Sequence, residues 1–181
     1  MKGREFDPKT APISFIDLEM TGLESSKHEI VEIGLVKVSQ PNLEVIERWE
    51  IKVKPTRLET ADLEALRISG YDAEKWKDAI SLKEMMEMLA PKVQNTILAG
   101  FNVSSDYSFL DVAVTSTSIP LDFHRRVLDI NPYAAAKLGY VFGEKGLGSL
   151  SKEYGLEFEN HHTALADAMA SFELYKKARL S

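Results

Sequence analysis

Ile13-Ser14-Phe15-Ile16-Asp17-Leu18-Glu19 is apolar on both alternating faces until two acids end it, the pattern of a strand near the middle of a sheet. A Thr21-Gly22 turn and a polar stretch lead to a second β-branched run, Ile30-Val31-Glu32-Ile33-Gly34-Leu35-Val36-Lys37-Val38. Turn chemistry at Gln40-Pro41-Asn42 then predicts a hairpin into a third strand. There Val45, Trp49, Ile51 and Val53 share one face with Glu47, while Glu44, Arg48, Glu50, Lys52 and Lys54 mark the other, so this strand is expected near an edge.

Residues 59–90 read as helical, with Leu63, Leu66, Met85, Met86 and Leu89 at helical spacing, a break at Ser69-Gly70-Tyr71-Asp72 and a stop at Pro91. The methionines are expected in the core. Residues 96–100 form a short apolar strand, and 104–114 a helix with Tyr107, Leu110 and Val114 on one stripe. A loop is expected over 115–120 and a strand over 127–130. Asn131-Pro132 then opens a short helix with Pro at its first position, and another runs over 147–154 until Gly155 stops it. A last helix, from 163 to about 179, puts Leu165, Ala168, Met169, Phe172 and Tyr175 on one stripe. Three strands followed by an alternation of helix and strand predict an α/β fold, with a mixed β-sheet flanked by helices and a hairpin at its edge.

The chain has 181 residues, 44% of them apolar, enough for one domain with a full core. That domain is expected over 11–181, behind a flexible tail at 1–10 that lacks the apolar stretch of a secretory signal. The absence of cysteine excludes disulfides and thiolate metal sites and suits a reducing compartment, so the expected location is cytoplasmic. No run of about 18 apolar residues offers a membrane span. The net charge of −6 argues against a protein that coats duplex DNA electrostatically. Two bound divalent cations would cut that charge to −2, which suits short nucleic-acid ends held by metal, stacking and backbone amides.

Asp17 and Glu19 stand two apart on a strand, so their side chains leave the same face at a strand end, where α/β folds tend to carry their sites. Two carboxylates so close repel each other unless a cation holds them, and hard oxygen donors suit Mg²⁺ or Mn²⁺. Solvated acids at a strand end are the plain alternative. Asp106 falls where a strand turns into a helix, a place where a lone Asp is usually an acid favoured by the helix dipole. His162 and Asp167 flank the start of the last helix, with His162 expected in the loop before it. His28, His124 and His161 have no suggestive acidic partner in the sequence and are expected at the surface.

Taken together, these positions resemble the three motifs of the DEDDh-type 3′→5′ exonucleases, in order. Phe15-Ile16-Asp17-Leu18-Glu19-Met20-Thr21-Gly22-Leu23 is similar to the first motif, Ala99-Gly100-Phe101-Asn102-Val103-Ser104-Ser105-Asp106 to the second, and His162-Thr163-Ala164-Leu165-Ala166-Asp167-Ala168 to the third. The family often has His before the second-motif Asn and an aromatic before its Asp; Phe101 and Ser105 stand there instead. Those neighbours bear on substrate preference and leave the metal ligands in place.

The resemblance implies a ribonuclease H-like fold and a two-metal phosphodiester hydrolase that releases nucleoside 5′-monophosphates from single-stranded 3′ ends. It implies two Mg²⁺ or Mn²⁺ ions bound by Asp17, Glu19, Asp106 and Asp167, with Asp17 bridging them and Glu19 completing the nucleophile side. His162 becomes the general base, since an imidazole titrates near neutral pH. Met20, Thr21, Gly22, Leu23, Phe101 and Asn102 become substrate contacts, Leu23 as a wedge against a base and Phe101 as a stacking surface, with core packing as the alternative for both. Single-stranded DNA is the expected substrate. RNA trimming of the oligoribonuclease or RNase T kind is the alternative, a non-catalytic nucleic-acid-binding module the remote one, and a homodimer is compatible with the family.

Overall fold

The computed structural model describes residues 4–141, 143–158 and 163–180. Its strands are β1 (Ile13–Met20), β2 (Ile30–Val38), β3 (Val45–Lys52), β4 (Ile97–Gly100) and β5 (Leu128–Asp129). Its helices are α1 (Leu63–Ile68), α2 (Leu82–Val93), α3 (Ser104–Thr117), α4 (Ile130–Lys137), α5 (Leu147–Glu153) and α6 (Ala164–Leu180), with a 3-10 turn at Leu58–Thr60. The strands make one mixed sheet in the order β3-β2-β1-β4-β5. β1, β2 and β3 pair antiparallel, while β4 and β5 continue parallel to β1. The hairpin and the edge position of β3 are as the alternation of residues predicts.

Both faces of the sheet are covered, because β1 and β2 alternate apolar residues to both sides. Ile13, Phe15, Val36 and Val38 pack into a core with α4, α5 and α6, where Phe15 meets the Phe172 ring at 5.4 Å. Ile16, Leu18, Ile33 and Leu35 pack on the other side with Met85, Met86 and Leu89 of α2 and Phe109 and Leu110 of α3. The methionines therefore fill the core, as expected. Phe101 also packs against the α6-side core and is partly buried.

Three local expectations are corrected. Pro91 lies inside α2, which runs on to Val93, because in the last turn a missing N–H forfeits a single bond to a carbonyl near solvent. α3 extends to Thr117 through the expected loop, since the hydroxyls of Thr115, Ser116 and Thr117 bond back to the carbonyls of Asp111 and Ala113; Ser118 then ends it at φ 60°. α4 starts at Ile130, with the carboxylate of Asp129 accepting from the Asn131 N–H as the N-cap, which puts Pro132 at the third position.

At the opposite end of β1 from the acids, the Arg4 N–H donates to the Phe123 carbonyl at 2.9 Å and the Arg125 N–H to the Arg4 carbonyl at 2.8 Å. Phe6 then lies edge-on to the His124 ring at 4.9 Å. His124, expected at the surface, is thereby buried.

Candidate metal centre

Asp17 and Glu19 continue the row of Ile13 and Phe15 along β1, so they leave the sheet on the α6 side at the end where its core runs out. The start of α6 is brought over them by a glycine. Gly34 sits opposite Asp17 in the β1–β2 register, and a Cβ there would lie 2.2 Å from the backbone of Ala164 and Leu165. From β3, Glu50 faces the same side and accepts the Leu165 N–H at 3.1 Å, while Thr163 Oγ1 accepts the Ala166 N–H at 3.2 Å. Two of the otherwise unpaired N–H groups of the helix are satisfied in this way, which fixes its first turn on the sheet.

Asp167 then comes to the strand end. Asp17, Glu19 and Asp167 can each offer one carboxylate oxygen, and these three atoms lie within 4.8 Å of one another. Asp106 approaches from the first turn of α3 on the other side of β1, where its Oδ1 accepts the Leu18 N–H at 3.0 Å. It is buried and faces Asp17 without joining the close triad. All four predicted acids thus gather at one end of β1.

Desolvation dominates their electrostatics. Burial pushes Asp17 well above the usual carboxylate range, and the charges of Asp106, Asp167, Glu19 and Glu32 push it further. Glu19 is raised to about 7 by burial and then by Asp167 and Glu32. Asp106 is raised to about 7 by burial against the pull of its backbone hydrogen bonds. Lys52, 3.1 Å from Glu32, is the nearest ion-pair partner that the neighbouring strands supply. Acidic oxygens packed this closely fit a hard divalent ion.

The segment after β1 borders this cluster. Thr21 is pinned by its N–H to the Glu29 carbonyl, by its hydroxyl accepting the Glu29 N–H, and by its carbonyl accepting the Asp62 N–H. Gly22, at φ 157°, packs on the His28 ring, where a Cβ would lie 2.6 Å from three ring atoms. Leu23 projects outward, 88% exposed, which rules out core packing for this residue. Met20 is half-buried at the end of the strand.

On the second-motif side, Asn102 holds φ 58°, a left-handed turn that Asn tolerates. Its N–H donates to Asp129 Oδ1 at 3.1 Å and its Oδ1 accepts from Asn131 Nδ2 at 2.8 Å. The general-base expectation for His162, like the surface expectation for His161, falls outside the described residues.

Four residues that hold this site together carry no mark among the motifs: Gly34, Glu50, Asp129 and Asn131. An isolated Gly in a β-branched run does signal a close backbone approach, so Gly34 could have been found. The other three act through partners 27 or more residues away in sequence, and no local pattern marks them.

The exonuclease family model named RNase T matches residues 14–175. The DNA polymerase III PolC-type of Thermotoga petrophila is 27% identical over 167 residues, covering 92% of this chain and 12% of its own length. The chain therefore spans about an eighth of the length of that polymerase. E. coli exonuclease I in complex with a dT13 oligonucleotide superposes with a TM-score of 0.76 at 19% identity, over 92% of this chain and 40% of that one. The zinc-bound form of the exonuclease I–ssDNA complex gives 0.78 at 18% identity, over 94% and 41%. The mixed five-stranded sheet flanked by helices is the ribonuclease H-like fold of these structures.

Proposed function

The chain belongs to the DEDDh-type 3′→5′ exonuclease family, and from that membership we propose that it removes nucleotides singly from the 3′ ends of single-stranded nucleic acid, DNA ahead of RNA. The observation that carries the reading is the meeting of Asp17, Glu19 and Asp167 oxygens within 4.8 Å at the mouth of a buried acidic cluster. Preference for DNA rests on the relatives: one is a DNA polymerase, and the superposed exonuclease was solved with a DNA oligonucleotide.

Asp17, Glu19 and Asp167 would hold Mg²⁺ or Mn²⁺, with Asp106 serving a second ion from the α3 side. The chemistry such ions supply is charge stabilisation on the phosphodiester and a lowered pKa for water. The residues of the chain do the rest. Leu23 presents an apolar wedge to the terminal base, on a turn that Gly22 seats against the His28 ring. Asn102 has its side-chain carbonyl engaged by Asn131, which leaves its amide N–H groups to donate to substrate. His162 takes the proton of the attacking water, and the product is a nucleoside 5′-monophosphate.

The test uses DNA and RNA oligonucleotides of the same sequence, labelled at the 5′ end, with Mn²⁺ or with chelator. A ladder shortening from the 3′ end, dependent on metal and absent in Asp17→Ala, is the expected result, faster on DNA. Folded, metal-binding protein that yields no ladder from either polymer would overturn the reading, and faster cleavage of RNA would reassign the substrate.

A further inference from the structure

A groove of about 420 Å³ lies away from the acids, on the α2–α3 side of the sheet, walled by α3, the start of α2 and segment 25–30. That volume falls in the range of about 300–1,000 Å³ typical of ligand sites. Lys54, Arg57 and Lys83 line it, and Glu29 is the one carboxylate among its lining residues. Glu29 is already engaged: it accepts from the Thr56 N–H at 2.9 Å, the Thr56 hydroxyl at 2.6 Å and the Arg57 N–H at 2.7 Å. Lys54 and Lys83 form no ion pair among the described residues, and Arg57 reaches only Glu29, at 3.7 Å. A positive groove with free ammonium groups stands out on a chain of net charge −6.

The groove is joined to the acidic site by the backbone. Glu29 is hydrogen-bonded through both its N–H and its carbonyl to Thr21, two residues beyond Glu19. His28 lines the groove and also carries the Gly22 turn on its ring, next to the exposed Leu23. Segment 21–29 thus borders the acids at one end and the groove at the other. Val112, 41% exposed, gives the groove an apolar wall suited to sugar faces.

We propose that this groove is a second nucleic-acid subsite that holds the phosphodiester backbone of a single strand upstream of its 3′ end. The proposal rests on the exonuclease reading for its substrate, and it assigns Lys54, Arg57 and Lys83 to strand retention, with no part in bond cleavage. Neutralising two lysines that pair with phosphates of a single strand lowers the slope of log affinity against log salt by about 1.4.

The test compares the wild-type chain with Lys54→Gln/Lys83→Gln and with Lys54→Glu/Lys83→Glu. Affinity for a fluorescent oligothymidylate of about twelve nucleotides is measured across a salt series in chelator, and hydrolysis of a dinucleotide is measured in Mn²⁺. The expected result is about tenfold weaker oligonucleotide binding at low salt for the Gln pair, more for the Glu pair, with the shallower salt slope. Dinucleotide hydrolysis stays within about twofold of wild type, because a dinucleotide does not reach the groove. Unchanged oligonucleotide affinity and slope overturn the proposal and leave the groove open to an acidic peptide. An equal loss on the dinucleotide also overturns it, by placing these cations in the cleavage site. A wild-type chain that binds the oligonucleotide but hydrolyses nothing would fail the exonuclease reading, and the binding arm would still decide the groove.

Discussion

Glu19 and Asp106 each hold a proton up to about pH 7, where the ordinary carboxyls would have lost it near 4.5 and 3.8. Burial causes most of that rise, so the folded chain binds these protons more tightly than the unfolded chain does. A raised pKa of this kind lends stability that is complete below the unfolded value and is lost as pH climbs through the folded one. In chelator, the melting temperature should therefore fall between about pH 4 and about pH 7, and thermal scans at several pH values read this directly. Added Mn²⁺ should lift the melting temperature most at the alkaline end, since metal and proton compete for the same oxygens. A melting temperature that rises with pH in chelator would mean that the cluster is neutralised by the protein itself. At this scale the sequence is informative about ligands and poor on their supports. The two-residue spacing of Asp17 and Glu19 gives their shared face directly, whereas the amide pair of Asn131 and Asn102 exists only once β4 and β5 lie side by side.

Among the elements, the placement of α6 decides whether there is a site. Strand β2 carries no side chain where the helix begins, and β3 supplies Glu50 to its first turn, so the antiparallel hairpin acts as the seat of the helix. Gly34→Ala should push that turn off the sheet. Overpacking of this type costs about 1–3 kcal/mol, read as a lower urea midpoint. Metal affinity should fall with it, because Asp167 moves away from Asp17 and Glu19; full metal affinity in a destabilised variant would show that the helix start can slide without loss. The order of strands and helices is legible because buried strands and amphipathic helices print their periods in the sequence. Helix ends are less so: the hydroxyl-rich end of α3 looks like a loop until its side chains bond inward. Leu63 shows the same gap, lying at a helical spacing yet 84% exposed on α1 beside the loop that Asp62 ties to Thr21.

For the whole molecule, the fold places four acids at one end of the central strand and a cationic groove beyond the adjoining loop, so a chain of net charge −6 still concentrates positive charge at one place. Among the described residues no helix is long and apolar enough to cross a membrane. The most direct test of the central claim is a calorimetric titration of the chain with Mn²⁺ at neutral pH, set beside Asp17→Asn. Two ions per chain are expected, with proton release, and the loss of both in the variant, since Asp17 faces Glu19 and Asp167 on one side and Asp106 on the other. Undiminished Mn²⁺ binding by Asp17→Asn would contradict it, because the metal would then sit somewhere other than the acidic end of β1.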